Sequence, residues 1–186
     1  WSADYLGDPT PRLAGRLTLN PFAHLDPLGT LALFLVNFGW GKPVPVDSFN
    51  FRNPRRDEAL VSLSGPLSNF ITVIIASLFL KALFLFNLNS IGIIAQIFPL
   101  LYTFIQIFVL LNLALGFFNL IPLPPLDGEK ILLGIVPRDL ALKIENVLDQ
   151  YGKILLILII LPLGNQGPLV SAFLSPIINF LMQLLI

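Results

Sequence analysis

The feature that most restricts the fold of this chain is an uncharged apolar stretch from Ile91 to Phe118. A bilayer crossing needs about 20 predominantly apolar residues, so this stretch is long enough to span. A second stretch, Ala59–Phe86, carries one charge, Lys81, near its end, where the long side chain can reach the interface. The intervening Asn87–Ser90 is uncharged. The sequence therefore predicts two transmembrane helices joined by a tight turn.

The composition agrees with this prediction. The 186 residues are 55% hydrophobic and 12% charged, about half the charged fraction of a soluble domain. Basic and acidic residues balance at 11 each, so no nucleic-acid partner is expected. Cysteine is absent, which leaves His, Asp and Glu as the strong metal ligands. We expect an all-α polytopic membrane protein, a transmembrane helix bundle forming one membrane domain over residues 1–186.

The distribution of positive charge predicts an orientation. The loop Lys42–Glu58 and the segment 128–153 each carry several Lys and Arg residues, whereas the turn at 87–90 carries none. Loops rich in Lys and Arg stay in the cytoplasm, so both charged segments are expected on that side. Asp127 then lies near the cytoplasmic face of a multi-pass protein in the cell membrane.

Two further segments are apolar but interrupted. Pro27–Trp40 is too short to cross a bilayer, and we expect a re-entrant or β-edge segment near residues 28–46. Arg138–Gln150 has apolar residues at helical spacing and predicts a short amphipathic helix. Beyond Lys153 the chain is uncharged but broken at Gly164–Pro168. A third crossing and an interfacial hairpin both remain open there.

The most informative polar residue is Asp127, which follows the long stretch after three prolines at 122, 124 and 125. An ionisable group at membrane depth costs about 2.5–3.5 kcal/mol, so its presence indicates function. Irregular backbone is tolerated there only inside protein or beside a water-filled cavity. Asp127 is therefore predicted to line a site. The alternative is that Asp127 caps a short helix over 128–134, and Asn119 can likewise cap local backbone.

Three other motifs combine polar residues with turns or breaks. His24 and Asp26 lie in a turn-rich loop, where a lone His is more often structural and Asp before Pro favours an Asx-turn. The segment Gly39, Trp40, Gly41 leads into alternating Pro and Val, which favours an extended edge for peptide addition or a Trp anchor at the interface. Asn69 lies in mid-span and needs a polar partner from a helix or a substrate.

Taken in order, four motifs resemble the site-2 protease family of intramembrane zinc metalloproteases, in its short branch without a PDZ domain. The resemblance covers about residues 1–135. The motifs are Asn-Pro-x-x-His-x-Asp-Pro-x-Gly at 20–29, Gly-x-Gly-Lys-Pro-Val-Pro at 39–45, Gly-Pro-x-x-Asn at 65–69 and Asn-x-x-Pro-x-x-x-Leu-Asp-Gly at 119–128.

The resemblance implies a membrane-spanning protein substrate and a Zn²⁺ ion with Asp127 as its third protein ligand. It implies that Asn119 stabilises the oxyanion of the tetrahedral intermediate. Substrate contacts are expected from Gly39, Trp40, Gly41 and Asn69, with His24 and Asp26 as possible supporting residues.

One departure from the family pattern is large, because the zinc-binding H-E-x-x-H motif occurs nowhere in these residues. The opening Trp1–Asp8 resembles the end of the helix that carries this motif. We therefore expect a fragment whose two histidines and catalytic glutamate lie upstream of Trp1, inactive by itself. The alternative is a relative that never had them, a non-catalytic membrane protein that binds single-span partners. A serine-based intramembrane protease fits less well, since no Gly-x-Ser-x-Gly element is present.

These expectations divide the chain into four parts. Residues 1–58 hold the end of the zinc helix, a loop and the re-entrant segment, and 59–118 hold the two transmembrane helices. Residues 119–137 form the metal loop with its Asp, and 138–186 form the amphipathic helix and the apolar C-terminal segment.

Overall fold

The computed structural model describes residues 1–36, 39–87, 92–162 and 167–186. Helices dominate these ranges, and no strand forms within them, so the all-α expectation is confirmed. The α-helices are α1 (Ser2–Leu6), α2 (Thr10–Leu13), α3 (Pro27–Val36), α4 (Pro54–Leu85), α5 (Gly92–Asn119), α6 (Asp127–Ile135), α7 (Arg138–Val147), α8 (Lys153–Ile160) and α9 (Leu169–Leu185). Short 3₁₀ turns cover Pro21–His24 and Ser48–Asn50.

The chain forms two compact units, Trp1–Val61 and Ser62–Ile186. The first unit is organised around the carboxylate of Asp8, which is fully buried. Asp8 Oδ1 accepts hydrogen bonds from the backbone N–H of Thr10 (3.0 Å), the Thr10 hydroxyl (2.5 Å) and Asn50 Nδ2 (2.8 Å). Asp8 Oδ2 accepts from the N–H of Asp47 at 2.9 Å. One side chain therefore joins the α1–α2 turn to the 3₁₀ turn at 48–50.

Burial raises the pKa of Asp8, but hydrogen bonds from Thr10, Asp47 and Asn50 outweigh it and lower this pKa from 3.8 to about 2. Because the folded pKa lies below the unfolded value, the ionised group contributes stability that is complete above about pH 4. That contribution is lost as the pH falls through about 2.

We therefore expect Asp8→Asn to lower the free energy of unfolding at neutral pH by about 2–3 kcal/mol, the size of hydrogen bonds to a charged group. The variant should also lose the acid dependence between about pH 4 and about pH 2. Thermal unfolding measured from neutral pH down to about pH 2 checks both effects. Asp4→Asn is the control, since Asp4 pairs with the exposed Arg12 and such pairs contribute little. Equal stability of Asp8→Asn and wild type at neutral pH would contradict the prediction.

The core of the second unit lies between α4, α5 and α9. Its fully packed side chains are Val73, Leu80, Ile105, Val109, Leu113 and Ile178. Near the end of α5, Gly116 lets the ring of Phe70 approach its backbone, and Phe70 also packs against Phe117 with ring centroids 5.0 Å apart. The opposite faces of α4 and α5 expose large apolar side chains, as helices in contact with lipid do.

Two helices in the described ranges are long and apolar enough to cross a membrane, namely α4 and the 95–119 part of α5. They correspond to the stretches Ala59–Phe86 and Ile91–Phe118. Lys81, expected to reach the interface, donates a hydrogen bond from Nζ to the carbonyl oxygen of Leu184 at 3.1 Å. A cation at the carboxyl end of α9 is favourable because the helix dipole is negative there.

The shorter predicted segments take definite forms. In the 28–46 segment, α3 covers Pro27–Val36, and Gly41 forms an antiparallel bridge with Leu25. The amphipathic helix predicted over Arg138–Gln150 is α7, and a π-helical turn at Leu148–Gly152 joins it to α8. The turn predicted at 87–90 and the break at 164–168 lie largely outside the described residues. The apolar helix beyond that break, α9, is shorter than α4 and α5.

Candidate metal centre

Asp127 is the first residue of α6, directly after the loop 120–126 that follows α5. The N-cap residue of α6 is Leu126, with extended backbone, and it makes no side-chain cap hydrogen bond. The alternative that Asp127 caps the helix is therefore wrong, because the helix begins one residue earlier than that alternative requires. A carboxylate in the first turn still interacts favourably with the helix dipole.

The loop 120–126 is held in one shape by its own backbone. The N–H of Leu123 donates to the carbonyl of Ile121 at 2.8 Å, and the N–H of Leu126 donates to the carbonyl of Leu123 at 2.9 Å. Pro124 lies within the turn that the second bond closes, and it is buried. Prolines have a fixed φ, so their rings further reduce the freedom of this loop. The carboxylate of Asp127 is thus attached to a stiff segment.

Gly128 closes the loop against the start of α6. A Cβ atom added to Gly128 would lie 2.3 Å from the carbonyl oxygen of Leu120 and 2.4 Å from that of Ile121. Such distances are far below van der Waals contact, and both atoms belong to backbone. The position therefore accepts only glycine, and the Asp-Gly pair of the fourth motif has a steric reason.

The carboxylate of Asp127 lies against α4 at Gly65. A Cβ atom added to Gly65 would lie 3.0 Å from Asp127 Oδ2. The absence of a side chain at Gly65 therefore makes room for the carboxylate. Asn69 lies one helical turn further along α4, on the same face as Gly65, and is half-buried. The third and fourth motifs, distant in sequence, thus meet at Asp127.

Asp127 is half-buried, and burial raises the pKa of its carboxyl group while the charge of Lys130 opposes this rise. A poorly solvated carboxylate is stabilised in its charged form by a nearby cation. Carboxylate oxygen is also an accepted zinc ligand beside His nitrogen. Among the described residues no group of three or more His, Cys, Asp or Glu side chains comes together. In the part of the chain that the structure describes, Asp127 therefore belongs to no such group of potential ligands.

Asn119 occupies the other end of the same loop. It is the last residue of α5 and is half-buried. The loop 120–126 thus has an amide side chain at its entry and a carboxylate at its exit. An amide N–H can donate a hydrogen bond to developing negative charge, and a carboxylate can bind a metal ion.

The first unit brings the first and second motifs together through glycine. A Cβ atom added to Gly29 would lie 2.1 Å from the carbonyl oxygen of Trp40, and one added to Gly39 would lie 2.4 Å from the carbonyl oxygen of Gly29. The start of α3 and the backbone at 39–40 are therefore in direct contact. Trp40 itself is about half exposed.

The backbone at Gly41 and Lys42 is anchored on one side. The N–H of Lys42 donates to the carbonyl of His24 at 2.9 Å, and the carbonyl of Lys42 accepts from Arg16 Nη2 at 2.5 Å. Because backbone groups of neighbouring residues alternate in direction at an antiparallel bridge, here between Gly41 and Leu25, those of Gly41 point to the opposite side. Arg16 is buried, and this position could not be predicted, since nothing in its sequence neighbourhood distinguishes it from a surface basic residue.

His24 and Asp26 are engaged in local hydrogen bonds. His24 Nε2 lies 2.9 Å from the carbonyl oxygen of Thr18, so this nitrogen carries the proton and donates it. Asp26 Oδ1 accepts from the N–H of Gly29 at 2.8 Å and so begins α3. In this geometry both side chains shape the loop around the first motif.

A peptidase family model and two proteins named as zinc metalloproteases are similar to parts of this chain. The model for peptidase family M50 matches residues 85–159, a range that includes Asn119 and Asp127. "Putative zinc metalloprotease YwhC" of Bacillus subtilis is 41% identical over 160 residues, which cover 86% of this chain and 71% of that protein. "Zinc metalloprotease MJ0392" of Methanocaldococcus jannaschii is 37% identical over 109 residues, covering 58% of this chain and 29% of that protein. No solved structure matches the chain.

Proposed function

This chain belongs to peptidase family M50, the site-2 protease family of zinc metalloproteases, and from that membership we propose that it is the ligand-bearing part of an intramembrane protease. The observation that carries the proposal is the position of Asp127. A stiff, glycine-closed loop holds its half-buried carboxylate against the bare backbone of α4 at Gly65. Two helices able to cross a membrane, α4 and α5, support this loop.

Asp127 supplies one of three protein ligands to zinc in this proposal. These residues contain a single histidine, His24, so they cannot supply two histidine ligands. We infer that two histidines and a general-base glutamate, in an H-E-x-x-H motif, come from residues outside these 186. When bound, zinc supplies a polarised water whose pKa falls to about 7.

Asn119 stabilises the oxyanion of the tetrahedral intermediate by donating a hydrogen bond from its side-chain amide. Its support is its place at the entry of the loop that ends in Asp127. An oxyanion donor acts in the transition state and leaves metal binding unaffected.

We therefore expect Asn119→Ala to retain zinc and to lower kcat by about 100- to 1,000-fold, as the removal of one oxyanion donor does elsewhere. The measurement is turnover at saturating substrate together with metal content. Asn112→Ala is the matched control, because Asn112 lies on the same helix and its Nδ2 donates to the carbonyl oxygen of Phe108 one turn earlier in that helix. Loss of zinc in Asn119→Ala would make the role of Asn119 structural.

The substrate is a membrane-spanning protein whose scissile segment unwinds, since the backbone carbonyls of a helix are occupied by hydrogen bonds. The segment Gly39–Val46 receives that unwound chain as an added strand. Its support is the anchoring of Lys42 from one side by His24 and Arg16, which leaves the backbone of Gly41 directed to the other side. Asn69 contributes a polar contact from α4. The protein is multi-pass, with Asp127 near the cytoplasmic face.

The test is cleavage of a single-span substrate by the full-length protein in lipid vesicles. Treatment with a zinc chelator is expected to abolish cleavage, and added Zn²⁺ is expected to restore it. The competing function is a non-catalytic membrane protein that binds single-span partners, favoured by the lack of H-E-x-x-H in these residues. Binding of the substrate without cleavage, with or without zinc, would support that function and overturn the protease.

A further inference from the structure

The helix formed by α7 and α8 contains one π-helical turn, Leu148–Gly152, which ends at a buried glycine. Glycine inside a helix costs about 1 kcal/mol relative to alanine, so its presence calls for a packing reason. Single π-helical turns are rare and are frequently found at functional sites. The two features coincide at Gly152.

The packing reason is Pro124 of the metal loop. A Cβ atom added to Gly152 would lie 2.5 Å from both Cδ and Cγ of Pro124. The proline ring therefore lies directly on the glycine backbone. A proline ring cannot rotate away as a flexible side chain does, because it is closed onto its own backbone. An atom added at Gly152 must therefore displace the ring of Pro124 or the helix that carries Gly152.

Movement of the loop would reach Asp127. The hydrogen bonds from Leu123 to Ile121 and from Leu126 to Leu123 bracket Pro124, and α6 begins directly after Leu126. At the other end of the loop, the backbone of Gly128 packs closely against the carbonyl oxygens of Leu120 and Ile121. A shift of Pro124 cannot be absorbed inside this closed turn, so it passes to the first residue of α6.

We propose that Gly152 is a positioning residue for the metal ligand, with the π-turn acting as a seat for Pro124 that fixes the carboxylate of Asp127. The inference rests on the proposed function, in which Asp127 binds zinc. Residues that orient a metal ligand from outside the coordination sphere typically change metal affinity 10- to 100-fold when altered. The effect of Gly152 is expected in zinc affinity and turnover, through the ring of Pro124.

The experiment is a double-mutant cycle in the full-length protein, with the zinc dissociation constant measured by competition with a chelator. Gly152→Ala is expected to raise this constant about tenfold or more. Pro124→Ala, which empties the seat without adding atoms, is expected to raise it several-fold. The double variant should match Pro124→Ala, because the clash needs both side chains. Ile154→Ala is the control, since that side chain is exposed on the same helix and should leave the constant unchanged.

Thermal unfolding of each variant separates positioning from a purely structural role. A Gly152→Ala variant that is less stable but binds zinc as wild type does would overturn the inference. Effects of the two substitutions that simply add would also overturn it. If Gly152→Ala does not insert into the membrane, the Pro124→Ala variant tests the inference. Unchanged zinc affinity of Pro124→Ala would then overturn it. The Asp127→Asn variant tests the proposed function separately from Gly152. Retained zinc in that variant would reject the proposed function itself.

Discussion

Replacement of Asp127 by Asn is expected to abolish zinc-dependent proteolysis by the full-length protein while leaving the protein folded and inserted. Asn has nearly the same shape as Asp but carries no charge, so it fits beside Gly65 and is a poor zinc ligand. If Asp127 served only the helix dipole of α6, the substitution would cost about 0.3–1 kcal/mol of stability and little activity. A zinc-ligand role of Asp127 therefore predicts loss of activity in this variant, whereas a role limited to the helix dipole predicts activity near that of wild type.

Cleavage of a single-span substrate in vesicles measures the effect, and thermal unfolding in detergent monitors the fold. Glu129→Gln is the matched control, because Glu129 is the other acidic residue in the first turn of α6. Its removal weakens the dipole interaction equally without touching the proposed ligand, so activity should remain near wild type. Undiminished proteolysis by Asp127→Asn would falsify the ligand assignment.

Gly128→Ala is expected to have the largest effect on folding. The added Cβ would overlap two backbone carbonyl oxygens, those of Leu120 and Ile121, at 2.3 and 2.4 Å. This backbone is closed by its own hydrogen bonds, so the overlap can be relieved only if the loop opens or α6 shifts. Overpacking of this kind costs about 3 kcal/mol. The yield of folded protein in detergent, its unfolding temperature and its zinc content should all fall.

Gly65→Ala provides the graded comparison for this variant. The added Cβ at Gly65 would lie 3.0 Å from Asp127 Oδ2, so it meets a side-chain carboxylate and not backbone. This variant should insert and fold but bind zinc more weakly. Unchanged stability and zinc content in Gly128→Ala would contradict the steric account of the Asp-Gly pair.

Hydropathy predicted the main elements of the second unit because its helices are defined by local sequence. The stretch that ends at Phe118 is α5, and it ends at Asn119 because the three prolines that follow cannot continue a helix. The amphipathic pattern from Arg138 predicted α7 for the same local reason. The helix α3 also had a local start signal, Asp26 before Pro27, whose carboxylate accepts the N–H of Gly29.

The contacts that define the candidate site could not be predicted, because they join residues far apart in sequence. Nothing in Gly65 by itself indicates that the carboxylate of Asp127 lies beside it, and nothing in Gly152 identifies Pro124 as its neighbour. An isolated glycine inside a helical pattern does indicate a packing reason, without naming the partner. The capping alternative for Asp127 was wrong because extended backbone at Leu126 places the N-cap one residue earlier.

The measurement that tests the central claim most directly is the zinc content of the purified full-length protein and of its Asp127→Asn variant, determined on the same preparations. The account predicts about one zinc ion per wild-type chain and a near-complete loss in the variant, with both proteins equally folded. Equal zinc content in the two proteins would contradict it, because the carboxylate at the start of α6 would then take no part in holding the metal.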